Sequence, residues 1–227
     1  MNKHPIPILQ YNLFDVPVMN DVRAVQSIIT ETIKLVESEA QEFKGIANVI
    51  ELFHNKDDKY SGIQYASING SLSVTALGIK QTRVLRNWFR VFKKHHSALK
   101  NVQEIKEKYT AEFLTKAQNY HIPVLLVRND VMKDIRDKKI TKEERLTQYI
   151  RNNCGTFLKY IGYDPYPEIV VNIDKRTIKQ YPNKFTVYKG YKRTGFNVVF
   201  TTNLRLPHIL RIGQSTSLGY GSVFHIE

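Results

Sequence analysis

The chain has 227 residues, 42% of them hydrophobic, and carries 34 Lys+Arg against 21 Asp+Glu, a formal net charge of +13. This length suits one large or two small domains with a real core, and the cationic excess points to a polyanionic partner, nucleic acid before membrane, since nowhere do 18 apolar residues follow one another. The single cysteine, Cys154, excludes an internal disulfide and a cysteine zinc site, and the N-terminus carries Pro5, Pro7 and Pro17 in place of an apolar leader, so a soluble cytoplasmic protein with no membrane attachment is expected.

Residues 6–14 form an apolar, strand-like run. Asn20 and Asp21 offer an N-cap, and Val22, Val25, Ile28, Ile29, Ile33 and Val36 follow at helical spacing over 21–40. A β-branched run at 46–53 reads as a strand ending on Phe53, before a charged turn at 54–59. Strands at 60–68 and 71–79 flank Asn69-Gly70, a two-residue hairpin signal. A basic helix is predicted over 81–101, with Arg83, Arg86, Arg90, Lys93 and Lys94 set against Val84, Leu85, Trp88, Phe89, Val91 and Phe92. In the second half, 104–119 is charged, with Tyr109, Phe113 and Leu114 its apolar positions, and 133–142 is a charge run that suits a solvated loop or helix end. A helix over 143–160 stops at Gly162. Strands follow at 168–174, 184–190 and 194–204, then a glycine-rich stretch and a terminal strand at 222–226. Each half thus has strands and a helix after its first element. The predicted class is α+β, two tandem ferredoxin-like (RRM-like) domains over 1–103 and 104–227.

The glycine-rich stretch sets Gly213, Gly219 and Gly221 among Gln214, Ser215, Thr216 and Ser217, with Arg205 and Arg211 flanking it. Glycine admits positive φ and close approach of backbone to a ligand, and successive N–H groups in such a loop form a concavity for phosphate. The same pattern fits a tight hairpin or a bulge. Neither a G-x-G-x-x-G before a helix nor a G-K-[ST] is present, so the dinucleotide fingerprint and the P-loop are excluded. The expectation is that 213–221 closes on a nucleic-acid backbone, with Gln214, Ser215 and Ser217 donating hydrogen bonds.

The seven histidines are scattered and no Asp/Glu constellation suggests a two-metal nuclease, so neither a metal nor another cofactor is expected. Metal-free acid–base chemistry remains open to an RNA substrate, whose own 2′-OH attacks the adjacent phosphate when a base takes its proton, an acid protonates the leaving 5′-oxygen and cations stabilise the phosphorane. His54 is the best single candidate, because an imidazole titrates near neutrality. Lys56 beside it would stabilise the phosphorane or donate a proton. The alternative is a histidine in a surface turn with no chemical role. Arg83, Arg86 and Arg90 share one helix face; with Lys93 and Lys94 they are expected to touch RNA phosphates, the alternative being a solvated basic face.

Two segments resemble a known family. Residues 52–65, LFHNKDDKYSGIQY, resemble the His-Asn-His…Tyr…Ile-Gln-Tyr segment of the CRISPR-associated endoribonuclease Cas6, b subtype. FTTNLRLP at 200–207, with IG at 212–213 and SLGYG at 217–221, resembles that family's C-terminal signature, shared with the wider RAMP superfamily. The likeness covers most of the chain. It implies two ferredoxin-like domains and metal-independent cleavage of the CRISPR repeat in precursor RNA, leaving a 5′-OH and a cyclic or 2′/3′ phosphate on the mature guide RNAs. It implies repeat RNA as partner, with an effector complex and a homodimer also open. The first motif histidine falls on His54, but the second falls on Lys56, a departure that closes two-histidine chemistry. Lys56 substitutes, or Tyr60 contributes, or the protein binds repeat RNA without cleaving it, as a non-catalytic effector subunit. A structural backbone subunit would share the fold, but the His54 segment argues against it.

Overall fold

A computed structural model describes residues 5–18, 22–46, 48–53, 60, 62–186, 191–216 and 220–227. Two units separate, residues 5–109 and residues 110–216 with 220–227. The first runs β1 (Ile6–Pro17), α1 (Val22–Ser38), a 3-10 turn (Ala40–Phe43), α2 (Val49–Phe53), β2 (Ile63–Ile68), β3 (Ser71–Leu77), α3 (Ile79–His95) and β4 (Val102–Tyr109). Its sheet is antiparallel in the order β2-β3-β1-β4, the ferredoxin-like arrangement. The β2–β3 hairpin turns on Asn69 and Gly70, both at positive φ (51° and 80°), as a primed turn requires.

The core of this unit lies between the sheet and its helices. Leu9, Tyr11 and Leu13 of β1, Ile63 and Tyr65 of β2, and Leu72, Val74 and Ala76 of β3 alternate toward Val25, Ile29, Phe53, Trp88 and Phe92. Trp88 is fully buried, stacks on Phe92 with ring centroids 4.8 Å apart, and donates its Nε1–H to Thr32 Oγ1 at 3.1 Å. Two expectations need correction. The run ending at Phe53 is helical from Val49, because Val49 and Phe53, one turn apart, are both buried; burial on one helix face overrides the β-propensity of the segment. Residues 104–109, expected to open the second half, lie in β4, which pairs with β1 from Leu13↔Val102 to Ile6↔Tyr109.

The second unit begins with β5 (Phe113–Val127), followed by α4 (Asn129–Arg136), α5 (Lys142–Tyr160), β6 (Val171–Ile173), the two-residue strands β7 (Lys179–Gln180) and β8 (Phe185–Thr186), β9 (Lys192–Leu204) and β10 (Phe224–Ile226). Its main sheet order, β10-β5-β9-β6, repeats that of the first unit. Among the described residues no α-helix lies between β9 and β10, and the glycine-rich stretch stands in that crossover. The charge run at 133–142 ends α4 and leads into α5, whose start is set by a capping box: Thr141 Oγ1 accepts from Glu144 N–H at 3.1 Å, and the Glu144 carboxylate accepts from Thr141 N–H at 3.1 Å. No helix among the described residues is long and apolar enough to cross a membrane.

Trp88→Ala is expected to lower stability by about 3–5 kcal/mol, because it leaves a cavity in the first core. Urea unfolding monitored by circular dichroism measures the loss.

Candidate nucleic-acid interface

The glycine-rich stretch is built against a break in β5. Between Ile122↔Val198 and Leu125↔Phe196 the register shifts, so Pro123 and Val124 face Asn197 alone. Pro123 has no N–H to give the ladder, and the carbonyls around it turn to other partners. Val124 C=O accepts from Gly221 N–H at 2.9 Å. Leu126 C=O accepts from Gln214 N–H at 3.0 Å and from the Tyr149 hydroxyl at 3.3 Å. Pro123 C=O accepts from the Tyr181 hydroxyl at 3.0 Å. Gly213 N–H donates to Asn153 Oδ1 at 3.0 Å, and Ile212 N–H to Gly221 C=O at 2.9 Å.

This arrangement explains two of the glycines. Gly213 has φ +99°, and a Cβ there would lie 2.8 Å from Leu125 Cδ1 and 3.0 Å from Leu126 O. Gly221 has φ +76°, and a Cβ would strike the Ile212 carbonyl. It also corrects the expected phosphate cradle: the amides of Gly213, Gln214 and Gly221 already donate within the protein. The Gln214 side chain lies within hydrogen-bonding reach of the Tyr149 hydroxyl, whose pKa burial pushes up to about 12. Ser215 takes positive φ (59°) and is half-buried. Ser217 and Gly219 lie outside the described residues.

The basic residues divide into three groups. Arg83, Arg86, Arg90, Lys93 and Lys94 are all exposed on α3, opposite the buried Val84, Leu85, Trp88, Val91 and Phe92. Arg90 pairs with Glu42 at 3.3 Å; Lys94 and His95 share Glu39 at 3.2 and 3.1 Å. The hydrogen bond from His95, then Lys94, holds the Glu39 carboxyl below its usual range. Arg205 pairs with Glu112 at 2.8 Å, both about half exposed. Arg211 departs from expectation. It is only 3% exposed, with its backbone in a bridge to Ser222, so it is no outward cation flanking the loop.

His54 and Lys56 lie outside the described residues. Fully buried Phe53 and Ile63 stand on either side of their segment in sequence, and Tyr60 is half-buried.

Sequence reasoning missed the residues of α5 that hold the glycine-rich stretch. Asn153 Oδ1 receives Gly213 N–H while its Nδ2 donates to Tyr149 C=O at 2.8 Å, and Tyr149 is buried against Leu126. A usable signal was present: an asparagine inside a helix, between the apolar positions Ile150 and Cys154, needs a partner for its carboxamide. Asn203, noted only as part of a motif, likewise accepts from Val170 N–H at 2.9 Å and donates to Glu168 C=O at 3.0 Å.

Asn153→Ala is expected to cost about 1–3 kcal/mol, because it strands a donor in a tightly packed turn. The Gly213 amide should lose protection in hydrogen exchange before the α5 amides do.

Comparison with known proteins agrees with this architecture. A Cas6b crystal structure, described as a CRISPR RNA processing endoribonuclease, is 19% identical with a TM-score of 0.71 over 98% of this chain and all of that one. A second Cas6b crystal structure gives 0.67 at 19% identity over the same shares, and Csf5, a type IV CRISPR-Cas crRNA endonuclease, gives 0.60 at 12% identity, also over 98% of this chain and all of its own. These likenesses carry the fold, two ferredoxin-like units in tandem. The uncharacterized protein MJ0978 of Methanocaldococcus jannaschii is 31% identical over 86 residues, 38% of this chain, and the match spans about half (55%) of that relative's length. The family model of the Cas6b C-terminal domain matches residues 113–226, from the first strand of the second unit to its last, and the chain therefore belongs to the Cas6b family.

Proposed function

We propose that this protein is a metal-independent endoribonuclease that cuts the CRISPR repeat in precursor RNA and so produces mature guide RNAs. Membership of the Cas6b family over 113–226 carries this reading. The proteins that share its fold, one described as a CRISPR RNA processing endoribonuclease and one as a crRNA endonuclease, support it. The cut proceeds by attack of the 2′-oxygen on the adjacent phosphorus as the bond to the 5′-oxygen breaks. His54 takes the 2′-OH proton, and Lys56, standing where the family motif has its second histidine, stabilises the phosphorane and protonates the leaving oxygen. Tyr60 is the alternative proton donor.

The exposed face of α3 supplies phosphate contacts through Arg83, Arg86, Arg90, Lys93 and Lys94. The pairs Arg90–Glu42 and Lys94–Glu39 are solvent-exposed; such pairs are worth about 0–1 kcal/mol, so exchanging their carboxylates for phosphates costs little. Arg205, and Gln214, Ser215 and Ser217 of the glycine-rich stretch, contribute further backbone contacts. A second reading rests on Lys56: a chain without the second histidine that captures repeat RNA for an effector complex and leaves cleavage to another nuclease.

Purified protein incubated with its repeat RNA in EDTA should give a single cut, and His54→Ala should abolish the cut while preserving binding. Tight binding with no cut by the unaltered protein would favour the second reading. Arg86→Ala/Arg90→Ala should reduce the slope of log K against log salt by about 1.4–1.8, two phosphate contacts at about 0.7–0.9 each. An unchanged slope would remove α3 from the interface.

A further inference from the structure

Helix α5 has a second working face. About 200° round the helix from Asn153, Arg151, Gly155 and Lys159 follow one another at four-residue steps. With Thr156, Tyr166 and Glu168 they line an open cleft of about 470 Å³. The cleft is built into the fold. Gly155 lies in the helix interior, where glycine weakens a helix, and its missing side chain has a use: a Cβ there would collide with the Tyr166 hydroxyl. The opposite wall, 166–169, is fixed from behind. Ile169 is buried, Asn203 of β9 holds the backbone of Glu168 and Val170, and Tyr163 N–H closes the end of α5 on Leu158 C=O at 2.9 Å.

The cations at its two ends are exposed, and among the described residues neither Arg151 nor Lys159 is in an ion pair. Eight residues of helix set them about 12 Å apart along the axis, a span for two phosphates of one strand with nucleotide between them. Tyr166 offers an aromatic surface midway, of the kind on which unpaired bases stack. Glu168 repels a bare anion but accepts hydrogen bonds from a base amino group or a ribose 2′-OH. Paired cations, a central ring and one acceptor describe a nucleotide strand better than a lone phosphate.

We infer that this cleft is an RNA-binding site in its own right, taking a single-stranded segment of the RNA that the protein processes. Arg151 and Lys159 hold phosphates, and Tyr166 with Glu168 holds the nucleotide between them. This rests on the RNA-processing reading and adds to it a site on the outer face of α5.

The test measures binding of precursor RNA containing the repeat, by fluorescence anisotropy over a range of KCl concentrations. Arg151→Ala/Lys159→Ala should weaken binding and reduce the slope of log K against log salt by about 1.4, two single-strand contacts at about 0.7 each. Tyr166→Ala should weaken binding and leave the slope unchanged. RNA carrying 4-thiouridine should crosslink to the peptide spanning 151–169 in the unaltered protein. Thermal melting confirms that both variants fold. If the unaltered protein binds the RNA and both variants match it in affinity and slope, the cleft is no RNA site and the processing reading stands. If the unaltered protein binds no repeat RNA, both readings fall.

Discussion

The second unit is organised around the carbonyls of one interrupted strand. β5 is the long central strand of its sheet, with β9 on one side and β10 on the other. Pro123 breaks its ladder, and two residues there oppose one of β9. A carbonyl left without a partner inside a protein costs about 1–3 kcal/mol, so each of these had to be met from elsewhere. Gly221 and Gln214 meet two of them through backbone amides, and Tyr181 and Tyr149 through side-chain hydroxyls. The described residues of the glycine-rich stretch stand in the crossover between β9 and β10, and they are anchored through this pattern of acceptors. Positive φ at Gly213 and Gly221 is the conformational consequence.

That constraint alters how a glycine-rich signature is understood. A run of small residues in a strongly basic chain suggests amides turned outward to a phosphate. Here three of those amides are turned inward. What such a stretch can offer a nucleic acid comes from the residues between its anchors, and from α5, which fastens one anchor through Asn153.

The charge of the chain is similarly divided. Arg90, Lys94, Lys106, Arg128, Arg145, Arg176 and Arg205 all have carboxylate partners. Several pairs lie within single elements or turns, such as Arg176 with Asp174, where the guanidinium holds the carboxyl below its usual range. Glu104 is held low in the same sense, first by Lys106, with Arg86 a further positive neighbour. The net charge of +13 is therefore partly neutralised by local pairing, and other cations stay open to solvent. Among the described residues, the exposed faces of α3 and α5 carry some of the open ones, Arg83 and Lys93 on one, Arg151 and Lys159 on the other.

By itself the sequence determined what depends on neighbours along the chain. The apolar period of α3 and α5, the Asn69-Gly70 turn and the helix stop at Gly162 are local properties, and the structure has each of them. The motif around His54 and Lys56 is read by resemblance alone, and it lies outside the described residues. The tertiary structure decided what depends on residues far apart. β4 joined the first sheet because its whole length matches β1. The segment before His54 became helix because Val49 and Phe53 are buried together. Arg211 went inside, and the amide of Gly221 went to the carbonyl of Val124 across almost a hundred positions. A hydrogen-bond acceptor left open by a break in strand register leaves no trace in the periodicity of its own segment. Its partner is chosen by what the folded chain brings within about 3 Å, and that is a property of the whole unit.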